Sequence, residues 1–111
     1  MAEKIMNVEL KVVGVTFKND DGSSRADKII EIATNGKENC RVELEREPQN
    51  KYDPNAIKVM ADGKQIGYIG KDFSGILAPM MDNEFRKFDA IVKDCGEYKN
   101  RPYCTIIVNE K

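Results

Sequence analysis

The segment AIKVMADGKQIGYI, residues 56–69, frames the whole chain. Asp62-Gly63 lies between two strand-like runs, Ala56–Ala61 and Gln65–Ile69. An Asp-Gly pair tolerates the positive φ angles that a tight two-residue turn demands, so the segment predicts an antiparallel hairpin. In its second arm Gly67 lets another backbone approach closely, and Tyr68 is expected to cover core.

Outward from the hairpin, short strands alternate with turn signals. Cys40, Val42 and Leu44 alternate with Arg41, Glu43 and Glu45, which reads as a half-exposed strand. Leu10–Lys18 reads as the first strand, but its parity slips: Leu10 and Val12 share one face, Val13, Val15 and Phe17 the other. A slip beside Gly14 predicts a bulge within Leu10–Phe17, the device that curls small barrels shut. Lys18–Ser23, with Asp20-Asp21-Gly22, is a loop. Phe88, Ala90 and Val92 mark a later strand, and Tyr103–Val108 the last.

Two short helices complete the pattern. Ser24-Arg25-Ala26-Asp27 has the form of a capping box, with Asp in the acceptor position. Ala26, Ile29, Ile30 and Ala33 follow at i, i+3, i+4, i+7, and Asn35-Gly36 supplies the stop, giving a helix over Arg25–Thr34. The second helix, over Phe73–Met81, takes Asp72 as N-cap and sets Phe73, Ile76, Leu77 and Met80 on one face. Pro79 is expected to bend or end it, because the ring clashes with the Gly75 carbonyl. Six strands and two short α-helices make a mainly β fold, a small barrel in a single domain over residues 1–111 with its core at about 8–109.

The bulk numbers restrict function. With 111 residues the chain fits one small domain that buries roughly 65% of its unfolded surface. It is 41% hydrophobic but only 7% aromatic, without Trp, so Ile, Val, Leu and Met must supply the core. A net charge of −1 removes the global basic field of a protein that coats duplex DNA. A site that grips one nucleotide by stacking remains open. No apolar run approaches a membrane span or the core of a signal peptide, so the expectation is a cytoplasmic protein with no membrane role. Cys40, Cys95 and Cys104 are odd in number and lack metal-ligand spacing, so they read as reduced structural thiols. There is no His. That excludes Ser-His-Asp and Cys-His nucleophiles and His-containing zinc sites, and three scattered cysteines cannot form a zinc tetrad. With no phosphate loop or D-x-D motif either, the reading is a non-enzyme without metal or cofactor.

Chemistry concentrates in residues 46–59, REPQNKYDPNAIKV. Asn50, Tyr52, Asp53 and Asn55 put two amides, an aromatic face and a carboxylate on a loop before a strand. Pro54 fixes its own φ and drives Asp53 towards extended backbone. One reading is a rigid crossover loop whose polar side chains cap its own amides. The other is that Tyr52 and Asp53 project from that loop to hold a ligand.

Over nearly its whole length the sequence resembles a HIRAN domain. Val12-Val13-Gly14-Val15, Arg46-Glu47-Pro48, Asn50-Lys51-Tyr52-Asp53-Pro54-Asn55-Ala56-Ile57-Lys58-Val59, Gly67-Tyr68-Ile69 and Leu77-Ala78-Pro79-Met80-Met81-Asp82 carry the likeness, in this order. The resemblance implies a modified OB-like β-barrel with two helices. It also implies a DNA-binding module for the 3′ end of single-stranded DNA, acting in DNA repair or replication-fork processing beside a helicase or nuclease partner. In that reading Tyr52 stacks on the terminal base and Asp53 accepts a hydrogen bond from the 3′-hydroxyl, with Asn50 in the same loop. A first-strand Arg-Tyr pair of the family falls on Thr16 and Phe17, so the aromatic survives and the guanidinium does not. A phosphate-contacting Lys maps to Lys71, and a last-strand aromatic to Tyr103. The alternative function is a protein- or peptide-interaction module that keeps the barrel and changes its ligand.

Overall fold

The computed structural model describes residues 6–36 and 40–111. In chain order these form β1 (Val8–Val13), α1 (Arg25–Thr34), β2 (Arg41–Arg46), β3 (Ile57–Ala61), β4 (Lys64–Ile69), α2 (Lys71–Met81), β5 (Phe88–Tyr98) and β6 (Arg101–Glu110). The strands close into a barrel in the order β1-β4-β3-β2-β5-β6, every pair antiparallel. The expected six-stranded, mainly β barrel with two helices is therefore the fold.

The expected Asp62-Gly63 hairpin is β3–β4. Ala61 pairs with Lys64, and Asp62 and Gly63 both adopt positive φ, 50° and 78°. Gly67 faces the backbone of β1 so closely that a Cβ there would lie 2.4 Å from the Val13 carbonyl oxygen. This contact accompanies the β1–β4 seam, where Val12 pairs with Ile69 and Val13 with Tyr68. Apolar residues of alternate parity fill the barrel: Ile57 and Val59 on β3, Cys104, Ile106 and Val108 on β6, all fully buried. Each buried Ile or Val contributes about 1.5–3 kcal/mol relative to exposure.

The first strand differs from expectation. β1 stops at Val13, and Gly14, at φ +70°, turns the chain out of the sheet. Phe17 N then donates to Gly14 O at 3.4 Å, so Thr16 and Phe17 belong to a turn. The parity slip marks the end of a strand, because alternation has no meaning once the chain leaves the pleat. Register shifts sit elsewhere, between Val59 and Met60 and between Val92 and Asp94. The last two strands also run longer than expected and meet at Lys99-Asn100, both at positive φ.

The helices sit at the expected places with different faces. Ser24 Oγ accepts from Asp27 N at 3.1 Å, the N-cap bond that the sequence signals. The buried residues of α1 are Arg25, Ile29 and Ile32 rather than an arc centred on Ala26, Ile29, Ile30 and Ala33. For α2 the N-cap is Gly70, without a side-chain bond, and Asp72 instead lies in the first turn, where a carboxylate meets the positive end of the helix. Its buried residues are Ser74, Leu77 and Ala78, while Ile76 stays 53% exposed. The buried face is therefore rotated by about one residue from the apolar arc. Pro79 lies inside α2 near its end, and the helix runs on only to Met81. Arg86 then forks onto Glu110 at 2.7 and 2.6 Å, fastening the α2–β5 connection to β6.

Among the described residues no helix is long and apolar enough to cross a membrane. The three cysteines are free. Burial, reinforced by Cys95, Asp94 and Cys40 nearby, pushes the Cys104 thiol up to about 12. Since the thiolate is the reactive form, Cys104 is expected to resist disulfide reagents at mild alkaline pH until the barrel unfolds. Mass spectrometry of the labelled native protein checks this; a native Cys104 adduct formed as fast as those of Cys40 and Cys95 would contradict it.

Candidate functional site

The loop between β2 and β3 is built by its own polar side chains. Asn50 Oδ1 accepts from Tyr52 N at 2.9 Å and Asp53 N at 3.0 Å, while Asp53 Oδ1 accepts from Asn55 N at 2.9 Å. Glu47 N donates to Ala56 O at 2.9 Å and Ala56 N to Asp53 O at 3.0 Å, closing the loop at its base. Arg46 binds it from outside, donating to Ala56 O at 2.8 Å and Pro54 O at 3.0 Å while its guanidinium pairs with Asp82 just after α2. Both sequence readings of this loop therefore describe part of it. Asn50 and one oxygen of Asp53 cap backbone, whereas Tyr52 has no such duty and is 79% exposed. Among the described residues nothing donates to Asp53 Oδ2.

Glu47 anchors the floor of the loop. Its carboxylate accepts from Asn50 Nδ2 at 2.5 Å and from the Tyr68 hydroxyl at 2.8 Å, and it pairs with Lys58 Nζ at 3.1 Å. Burial pushes this carboxyl up, but the bonds from Asn50, Tyr68 and Lys58 outweigh it and hold the group below its ordinary 4.5. A lowered folded-state pKa stabilises the fold above the unfolded value, and that stabilisation is lost as pH falls through the folded value. Glu47→Gln is expected to lower the urea midpoint at neutral pH and to flatten its fall as pH drops below the ordinary carboxyl value of 4.5. An unchanged acid limb would show that the anchor contributes nothing.

A cavity of about 390 Å³ opens beside this loop. The loop lines it with Asn50, Tyr52, Asp53 and Ala56; β1 and the turn after it add Val13 and Phe17. Tyr68 and Ile69 of β4, Lys71 at the start of α2 and Arg25 of α1 complete the wall. Phe17, at 67% exposure, and Tyr52 present their rings largely to solvent, and Lys51 Nζ lies 5.2 Å from the centre of the Tyr52 ring. Arg25 is the opposite, with only 8% of its surface exposed. Its Nε donates to Asn19 Oδ1 at 2.7 Å and its Nη1 to Gly14 O at 2.9 Å, and its guanidinium lies 5.4 Å over the Tyr68 ring.

Of the residues singled out from sequence, Phe17, Asn50, Tyr52, Asp53 and Lys71 meet in this cavity. Thr16 is exposed in the turn and is not among the lining residues. Tyr103 is also outside it: it pairs with Gly96 in the β5–β6 arm, and a Cβ on Gly96 would stand 3.1 Å from its hydroxyl. Sequence reading missed Arg25 and gave Tyr68 a core role. Arg25 shares the i, i+4, i+7 face of Ile29 and Ile32, which marks its side of the helix but not its burial. An arginine ahead of a hydrophobic stripe reads as solvated unless the tertiary fold covers it. Among the described residues no group of three or more His, Cys, Asp or Glu is arranged to hold a metal ion.

A closed antiparallel barrel with an aromatic-rimmed cavity at one loop places the protein among small β-barrel domains. The HIRAN domain family matches residues 5–111, and the chain belongs to that family. It is 44% identical over 55 residues to the human helicase-like transcription factor and 46% over 55 residues to the rabbit one, in each case 49% of this chain and 6% of the relative. A Fanconi-associated nuclease 1 homolog of Arabidopsis thaliana is 42% identical over 50 residues, 44% of this chain and 6% of the relative. The matched segment is thus a small part of these relatives' length. The crystal structure of the HIRAN domain of human HLTF superposes with a TM-score of 0.71 at 26% identity, covering 96% of this chain and 76% of that one. A protein from Lactobacillus plantarum shares the fold, with a TM-score of 0.72 at 24% identity, over 97% of this chain and 95% of that one.

Proposed function

We propose that this domain is a non-catalytic DNA-binding module that holds the 3′-terminal nucleotide of single-stranded DNA. The observation that carries the reading is the meeting of Tyr52, Phe17, Asp53 and Lys71 in one cavity. Stacking on exposed aromatic rings is tolerant of sequence and gives about 1–3 kcal/mol per base. The open Oδ2 of Asp53 is an acceptor for a 3′-hydroxyl and repels a 3′-phosphate. Lys71 supplies a cation for one phosphate. Relatives named as a helicase-like transcription factor and a nuclease homolog support a setting in DNA repair or fork processing, with any motor or nuclease activity belonging to other domains or partners. A second reading, a peptide-binding module, draws support from the apolar wall made by Val13, Ala56 and Ile69.

Fluorescence polarisation with matched 3′-hydroxyl and 3′-phosphate oligonucleotides tests the choice. The 3′-hydroxyl strand should bind about tenfold tighter, the order of one hydrogen bond to a charged group. Few phosphates are neutralised, so the log–log salt slope should be shallow, about −1 to −2. Equal binding of both strands removes Asp53 as the reader of the hydroxyl. No binding of either at high protein concentration favours the peptide module.

A further inference from the structure

Arg25 is a buried cation without an anion among the described residues. Its partners are neutral: the Asn19 amide oxygen, the Gly14 carbonyl and the Tyr68 ring. Among the described residues no carboxylate lies within ion-pair distance of it. A desolvated guanidinium held this way is costly unless something electronegative reaches it. The two protein bonds engage Nε and Nη1 and leave Nη2 with both of its N–H groups. No buried side-chain nitrogen in the described structure lacks a partner, so Nη2 reaches solvent, and Arg25 is one of the residues that line the cavity.

We infer that Arg25 reads the edge of the terminal base and favours bases with a keto oxygen there. The inference rests on the proposed nucleotide-end site and deepens it. Depth decides which part of a nucleotide Arg25 meets. Tyr52 and Phe17 are 79% and 67% exposed and form the rim, whereas Arg25 is 8% exposed and forms the floor. A base between rim rings, with its sugar held at the Asp53 loop, points the edge remote from the sugar at the floor. The internucleotide phosphate stays outside, because the strand must leave towards solvent, past Lys71. On that remote edge guanine carries O6 and thymine O4, both acceptors, while adenine and cytosine carry amino donors. A guanidinium offers donors only, so it matches the keto oxygens of the first pair and meets an amino donor at that position in the second, whose ring nitrogens are the acceptors left to it. Asn19 and Gly14 O fix its plane, which is what a reader of base edges requires.

The test is a competition series on the intact protein, with 3′-hydroxyl oligonucleotides that differ only in the last base. Strands ending in dG should bind about fivefold or more tighter than those ending in dA, and dT-ended strands similarly tighter than dC-ended ones. A strand ending in deoxyinosine, which keeps O6 and lacks the 2-amino group, should match dG. Arg25→Met is expected to weaken dG- and dT-ended strands more than dA- and dC-ended ones, collapsing the series. If that variant does not fold, the full end series on the unaltered protein decides alone, with dG and deoxyinosine both required to exceed dA. Equal affinity for all four ends, in a protein that still rejects 3′-phosphate, overturns the inference and leaves the proposed function standing. Uniform weakening by Arg25→Met with a reduced salt slope makes Arg25 a phosphate contact and also overturns it. Failure of every strand to bind overturns the end-binding reading and this inference together.

Discussion

Gly67→Ala is expected to lower the unfolding free energy by about 3 kcal/mol or more, the upper range for forcing atoms into a packed site. The added Cβ would lie 2.4 Å from the Val13 carbonyl oxygen and 2.5 Å from Val12 Cγ1. The first of these is backbone, and no rotamer change relieves it. The only escape is to part β1 from β4, where the described register is just Val12–Ile69 and Val13–Tyr68. Parting that seam opens the barrel and displaces Val13, Tyr68 and Ile69, three walls of the cavity. Urea unfolding should show a lower midpoint, and ligand binding should weaken even where the variant is folded. A loss below about 1 kcal/mol would mean that β1 shifts at little cost, and that the close approach does not hold the seam.

Asp53→Ala is expected to weaken binding of a 3′-hydroxyl strand by about 1.5–3 kcal/mol, roughly 10- to 150-fold. Two losses combine in that variant, because Asp53 Oδ1 also accepts from Asn55 N at 2.9 Å. Asp53→Asn separates them: its amide oxygen keeps the turn, while the charge facing the ligand is gone. The Asn variant should retain the loop, seen as unchanged amide shifts at Asn55 and Ala56, and still lose most of the preference for hydroxyl over phosphate. Tyr52→Ala, by contrast, removes a ring that is 79% exposed, so about 1–3 kcal/mol of stacking should vanish without loss of fold stability. If Asp53→Asn binds both ends as the parent does, the carboxylate is only a turn residue.

Part of the molecule was legible because local physics decides it. Asp62-Gly63 can form little other than a tight turn between two apolar runs, and Ser24 with Asp27 announces the start of α1. The Asn50-to-Asn55 run carries its own hydrogen bonds, so its rigidity follows from neighbours in sequence. Gly67 signalled a close approach, though not which backbone would arrive.

What the amino-acid order determined by itself is therefore the set of strands and helices, their turns, and the loop that presents Tyr52 and Asp53. Tertiary structure decided the rest, since burial belongs to pairs of surfaces. Parity could not tell a bulge from the end of a strand at Gly14, because the test is whether β4 still pairs there. The apolar arc of α2 could not reveal that Ser74 and Ala78, not Ile76, face inward, because small residues are buried wherever a neighbour comes close. Nor could the order of residues show that Arg25 would be covered. Its 8% exposure arises only when the β1–α1 connection, through Gly14 and Asn19, and Tyr68 of β4 close around one guanidinium.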